Sequence, residues 1–327
     1  MSVLVVVEHD RGTPSDASRE ALTFARGVSE QLDTPVEALT IGAGGDAAEL
    51  VGECARFGAG AVRHVAPPWL TDYAPEAWGD AVAAAVRALA PRAVVACGTD
   101  RGNEVLAQAA AALGLPFVAN CLDVRVGDQW QVTRVQWGGS LNEDAALSST
   151  VPIVSVAHHA VEPAPVAAPA TLSATGLDVH LDETGARTMI RDRVVLAEGV
   201  TLATAPVVVG GGRGVGSAEG FAVLEELAGR LGGVVGCSRA VTNNGWRPHA
   251  DQVGQTGTRI APQLYVACGI SGAIQHWVGA KAAKTILAIN TDPEANMVVK
   301  ADYAVIGDLH EVVPAITAAL GGGGGVT

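Results

Sequence analysis

Pro206–Ser217 reads PVVVGGGRGVGS. Its three β-branched valines form a short buried strand. The glycines that follow let the backbone turn tightly, and Ser217 suits the N-cap of a helix. Helical spacing continues through Phe221, Leu224, Leu227 and Leu231, with Gly232–Gly233 as the stop. A strand that enters a glycine turn and then a helix opens a doubly wound parallel sheet. Working outward, Val234–Cys237, Leu264–Cys268, Thr285–Ile289 and Tyr303–Ile306 read as further strands. Helices are predicted from about Ser271 and from Leu309 to Leu320.

The same alternation fills the first half. VLVVVE (Val3–Glu8) is a buried strand, and a helix runs from Ser15 to Leu32 with Ser15 or Asp16 as its cap. Strands follow at Val36–Ile41, Val62–Val65, Ala93–Cys97 and Phe117–Val126. Helices fit between them at Ala47–Phe57, Pro75–Leu89 and Asn103–Leu113. Over Gln129–Trp137 the apolar period becomes two, which predicts antiparallel strands. Glu143 and Asp144 read as a solvated loop. The fold class is therefore α/β in two domains. Residues 1–195 make an N-terminal β/α layered domain with a mainly parallel sheet, and Glu162–Ala170 is a Pro/Ala-rich exposed linker. Residues 196–320 make a C-terminal doubly wound parallel-sheet domain, and 321–327 a disordered glycine-rich tail.

Composition narrows the function. The 327 residues are 49% apolar but only 4% aromatic, so the cores are built of Val, Ala and Leu. A net charge of −13 argues against a nucleic-acid partner, whose phosphates demand Lys and Arg. It disfavours an anionic membrane surface too. The five cysteines form no CxxC pair; Cys97, Cys237 and Cys268 lie in apolar runs and read as buried thiols, in a reducing, cytoplasmic setting. The start, MSVLVVVEHD, lacks the basic region of a signal peptide, and no apolar run is long enough for a membrane span.

Ligands of an open parallel sheet bind beyond the carboxyl ends of its strands. In the second domain those ends are Gly210–Arg213, Cys237–Arg239, Gly269–Ser271, Asn290 and Asp308. That mixture suits a nucleotide: glycines admit phosphates, Arg213 neutralises them, and Asn or Asp holds ribose and base. The GxGxxG fingerprint fails, since Ser217 stands where the third glycine belongs. His158 and His159 have no carboxylate or cysteine at ligand spacing, so no metal site is expected. No Ser–His–Asp order, GxSxG or thiolate setting marks a catalytic residue. On the strand ends alone, a nucleotide- or CoA-dependent oxidoreductase remains an alternative.

Five ordered motifs decide between these readings. They are SRA (Ser238–Ala240), QVGQTG (Gln252–Gly257), PQLYVACGISGAIQHWVGAK (Pro262–Lys281), AIN (Ala288–Asn290) and ADYAVIGDLHEVVP (Ala301–Pro314). Together they closely resemble the FAD domain of electron-transfer flavoprotein α subunits, from Pro206 to Leu320. GTDRGNEVLAQAAAALGLP (Gly98–Pro116) carries a looser likeness in the first domain. The resemblance implies FAD as cofactor and a β subunit as heterodimer partner, with AMP the nucleotide that subunit would carry. It implies flavin dehydrogenases as donors, a quinone-linked acceptor, and an electron carrier without a small-molecule substrate.

Carried across by motif, Arg239 lies over the flavin ring with Ser238 beside it. Val253, Gly254, Gln255 and Thr256 reach the polar edge of the ring, the Thr256 hydroxyl near N5. Ser271, Gly272, Ala273, Ile274, Gln275 and His276 wrap the flavin and its ribityl chain, His276 on the N1–C2 side. Asn290, Asp308 and Leu309 line the adenosine half, and Arg213 stands near the nucleotide.

Overall fold

A computed structural model describes residues 1–190 and 200–321. The chain forms two compact units, Met1–Val194 and Val195–Thr327. The boundary expected between residues 195 and 196 and the tail beyond Gly321 lie outside the described residues.

In the first unit β1 (Val3–Val6) is followed by a small hairpin, β2 (His9–Asp10) and β3 (Thr13–Pro14). Then come α1 (Asp16–Leu32), β4 (Val36–Ile41), α2 (Ala48–Arg56), β5 (Ala61–Val65), α3 (Pro75–Leu89), β6 (Ala93–Cys97) and α4 (Asp100–Leu113). Strands β7 (Phe117–Arg125), β8 (Trp130–Gln136), β9 (Leu141–Leu147), β10 (Ile153–Val156) and β11 (Ala174–Gly176) complete it. The main sheet has the order β11-β5-β4-β1-β6-β10-β7-β8-β9. Pairing is parallel from β11 to β7 and antiparallel from β7 through β8 to β9.

Alternation along β1 explains the layering. Val3 and Val5 face one core with α1 and α2, and Leu4 and Val6 face a second core with α3 and α4. Each such side chain contributes about 1.5–3 kcal/mol when fully buried. The Ser15 hydroxyl accepts from the Ala17 N–H and starts α1. Pro75 opens α3, where its missing N–H costs nothing. Helix α4 starts three residues earlier than its apolar pattern suggests, because the Thr99 hydroxyl accepts from the Gly102 N–H.

Glu143 and Asp144 are not in a loop. They lie on β9, where Glu143 pairs with Arg134 at 2.7 Å and Asp144 accepts from Thr133 at 2.6 Å. An edge strand exposed on nearly its whole length has no apolar alternation to reveal it. The stretch Glu162–Ala170 is exposed but tied to the first unit: the Val166 N–H donates to Arg56, and Ala164 bonds both Thr23 and Arg26. After it, β11 pairs with β5, and Leu177, Val179 and Leu181 pack on the second core.

The second unit runs β12 (Val207–Gly211), α5 (Ala222–Arg230), β13 (Val234–Cys237), α6 (Arg239–Asn243), β14 (Leu264–Cys268) and α7 (Ile274–Ala280). It closes with β15 (Ile286–Asn290), α8 (Asn296–Lys300), β16 (Tyr303–Ile306) and α9 (Leu309–Gly321). Its sheet, β13-β12-β14-β15-β16, is parallel throughout. Val209 faces a core with α5 and α9; Val208 faces another with Tyr265 and Met297.

Two helices begin later than expected. Ser217 accepts from the Gly220 N–H, but this closes a turn, and α5 follows only at Ala222. The chain doubles back tightly there: a Cβ on Gly220 would meet the Val215 carbonyl oxygen at 2.5 Å. The helix expected near Ser271 starts at Ile274, because Gly272 sits at φ +78° and breaks helical geometry.

Candidate functional site

The glycine turn after β12 lies against the end of β14, backbone to backbone. The Gly212 N–H donates to Cys268 and the Gly214 N–H to Gly269. A Cβ on Gly212 would stand 2.1 Å from the Gly269 carbonyl oxygen, so only glycine allows this approach. The turn thus delivers Arg213 to a cavity of about 420 Å³ beyond the strand ends. Ser271 after β14, Asn290 at the end of β15, and Asp308 and Leu309 after β16 line the same cavity. That volume falls in the usual range for small-molecule sites.

The polar groups are held in place by the fold. The Asn290 side chain donates to the Ile270 carbonyl at 3.1 Å and accepts from the Asp292 N–H at 3.1 Å, fastening the ends of β14 and β15 together. The Asp308 carboxylate accepts from the His310 N–H at 2.8 Å and so caps α9. The residue also lines the cavity.

A second group forms where the loop after α6 meets the start of α7. Arg247 anchors this loop by pairing with Glu225 of α5 and, at 2.9 Å, with Asp251. The Val253 N–H then bonds Cys237, and the Gln255 N–H donates to the Gln275 carbonyl at 2.8 Å. A Cβ on Gly279 would meet the Gly254 Cα at 2.3 Å, so the two segments touch through their main chains. Gln255, Thr256, Ala273, Ile274 and Gln275 are exposed along this seam. Ser238 is half-buried at the end of β13, and Arg239 is exposed beside it.

Beneath the seam lies His276, 6% exposed. Its Nε2 is 2.8 Å from the Tyr265 hydroxyl. Its Nδ1 is buried with no hydrogen-bond partner among the described residues. Burial pushes the imidazole down to about 4, with the Val253 backbone working weakly the other way. The ring is therefore neutral at physiological pH and acts as a donor or acceptor, not as a cation. Burial also pushes the Cys237 and Cys268 thiols up to about 12, which keeps both protonated.

The expected residues thus fall into two neighbouring sets. Arg213, Ser271, Asn290, Asp308 and Leu309 share the cavity, while Ser238, Arg239 and the segments Gly254–Thr256 and Gly272–His276 lie outside its lining. Ser271 joins the sets along the chain. Val253 is 1% exposed: its side chain packs in the core with Val208 and Ile260, and its N–H is bonded to Cys237. Two positioning residues were missed. Gln252, 3% exposed, accepts from Thr242 at 2.8 Å and donates to Thr256 at 3.0 Å. Tyr265 was hidden as an aromatic in an apolar strand, although a hydroxyl there calls for a partner. Asp292 also lines the cavity; its signal was its place just past a strand end.

FAD fits these residues. The cavity offers an arginine, carboxylates and close-approach glycines for the nucleotide half. The seam offers hydroxyl, amide and main-chain groups for a flat polar ring, and His276 holds a buried nitrogen that lacks a partner.

Comparison with known proteins agrees. Residues 3–182 match the electron transfer flavoprotein domain, and residues 201–281 match the electron transfer flavoprotein FAD-binding domain. Asn290 and Asp308 lie beyond the second match. The electron transfer flavoprotein subunit alpha of Mycobacterium tuberculosis is 39% identical over 97% of this chain and 98% of its own length. That of Bacillus subtilis is 34% identical over 96% of each. Protein FixB of Bradyrhizobium diazoefficiens is 35% identical over 97% of this chain and 88% of its own. The chain belongs to the electron transfer flavoprotein α-subunit family.

Proposed function

We propose that this chain is the FAD-carrying subunit of a two-subunit electron carrier. The observation that carries the reading is the junction of the strand-end cavity with the seam between Gly254–Thr256 and Gly272–His276. One cofactor with a nucleotide at one end and a polar ring at the other would span both. Bound FAD supplies one-electron chemistry, and the protein's task is to hold the ring and tune its electrostatics. Arg213, Asn290 and Asp308 would hold the nucleotide half. Arg239, Thr256 and His276 would set the environment of the ring.

The partner would be a β subunit, with AMP as its nucleotide. Electrons would come from flavin dehydrogenases, such as those acting on acyl-CoA, and leave to a quinone-linked acceptor. The five free, buried cysteines suit a cytoplasmic setting. No helix among the described residues is long and apolar enough to cross a membrane. A carrier reading rests on the family to which the chain belongs, whose members are electron transfer flavoprotein subunits.

The test is the visible absorbance of the chain co-purified with its β subunit, followed through stepwise dithionite reduction. One FAD per heterodimer, reduced in two separable one-electron stages, is the expected result. A colourless preparation that also refuses added FAD would overturn the reading. Turnover of a small substrate by the isolated chain would favour an oxidoreductase instead.

A further inference from the structure

Helix α1 carries Glu20 on its buried face, beside Ala17 and Ala21. The residue is only 4% exposed. A carboxylate so placed needs a compensating charge or donors. Cys97 ends β6, and His158 and His159 follow β10, its parallel neighbour. Two adjacent strand ends and the face of α1 therefore converge, although Glu20, Cys97 and the His158–His159 pair are far apart in sequence.

The geometry is close. Glu20 Oε1 lies 3.7 Å from His158 Nε2 and 3.5 Å from His159 Nδ1. Glu20 Oε2 accepts from the His159 N–H at 2.7 Å. The two imidazoles stack with centroids 3.6 Å apart. His159 holds φ +64°, a left-handed conformation that a β-carbon disfavours. Its Nε2 is buried without a hydrogen-bond partner among the described residues. One ligand atom each from Glu20, Cys97 and His158 lies within 4.8 Å of the others.

We infer that Glu20, Cys97 and His158 form a binding site for one divalent ion of the zinc type. Thiolate, imidazole and carboxylate together suit a borderline ion and not a hard one such as Mg²⁺, which prefers oxygen alone. Donor atoms around a tetrahedral ion at about 2.0–2.3 Å stand roughly 3.5 Å apart, so the cluster closes by about 1 Å. His158, whose side chain is 28% exposed, provides that freedom and the route to solvent. Water takes the fourth position. Binding forms a sulfur–metal bond and releases the Cys97 proton to solvent. The ion would supply a countercharge for Glu20 and would clamp α1, β6 and the segment after β10 together. All the residues of this site belong to the first unit, and none is among those expected to hold the cofactor.

The test is titration of the EDTA-treated, desalted full chain with Co²⁺, read as difference absorbance. The expected result is a thiolate-to-cobalt charge-transfer band that saturates at one equivalent and is abolished by one equivalent of Zn²⁺. Cys97→Ser should lose the band, and Cys54→Ser, a buried thiol outside the cluster, should keep it. Should Cys97→Ser fail to fold, Glu20→Gln keeps the side-chain shape and an acceptor for the His159 N–H. It should weaken Co²⁺ binding at least ten-fold, as should His158→Ala. No saturable band in the unmodified chain, an unchanged band in Cys97→Ser, or unchanged affinity in Glu20→Gln would each overturn the site.

Discussion

The Tyr265 hydroxyl and Nε2 of His276 stand 2.8 Å apart with both side chains buried. Gly210 on the neighbouring strand makes room for the ring, because a Cβ there would come within 2.4 Å of the hydroxyl. The pair fixes the histidine at the floor of the seam. Tyr265→Phe keeps the ring and leaves Nε2 without a partner, which costs about 1–3 kcal/mol. Urea unfolding followed by flavin absorbance should show that loss. A stability equal to wild type would mean the bond contributes nothing.

His276 also predicts a pH dependence. Its folded value is about 4, against about 6.5 in the unfolded chain. Above about 6.5 neither state binds the proton, and the stability from neutral burial is fully present. As pH falls from about 6.5 to about 4, the unfolded chain takes up a proton that the native one refuses. Stability should therefore drop by roughly 3 kcal/mol across that window from this group alone. His276→Gln removes the term, so its unfolding free energy should decline less over the same range than that of the wild type. Parallel curves for the two proteins would refute the assignment.

What was readable in the sequence follows from the same physics. Strands buried on both faces, such as Val3–Val6 and Ala93–Cys97, announce themselves by continuous apolar runs. Strand β9 does not, because its exposed carboxylates pair with Arg134 and Thr133 across the sheet edge. Arg213, Asn290 and Asp308 were legible because parallel strands place their ends on one edge. Tyr265 and Gln252 were not, since their work is done through partners 11 and 10 or fewer residues away that only folding brings within bonding distance. The Glu20 cluster shows the same limit, with Glu20 and His159 separated by 139 residues.

Asp308 serves two purposes that one substitution can separate. Its carboxylate caps α9 through the His310 N–H and faces the cavity. Asparagine caps helices as well as aspartate does, so Asp308→Asn should leave thermal stability within about 0.5 kcal/mol of wild type. It removes the charge that would hold ribose hydroxyls. FAD affinity, measured by equilibrium dialysis, should fall about ten-fold. If affinity is unchanged while Asp308→Ala loses about 1 kcal/mol of stability, the residue is a cap alone.

Gln252 offers the clearest separation of positioning from contact. Buried beneath the loop, it ties Thr242 to Thr256 and so aims the Thr256 hydroxyl along the seam. Gln252→Leu deletes both bonds. The two threonines are not buried, so water can replace what they lose, and stability should change by less than about 1 kcal/mol. On the proposed placement of Thr256 at the flavin ring, the midpoint potential of the bound flavin should shift, because its hydroxyl would lose the support of Gln252. Thr256→Ala should shift it in the same direction. If Gln252 acts only through Thr256, the double variant should match Thr256→Ala, since the second change removes a support for a group already gone. Additive shifts would mean instead that Gln252 reaches the flavin by another route, through the backbone of the loop it anchors.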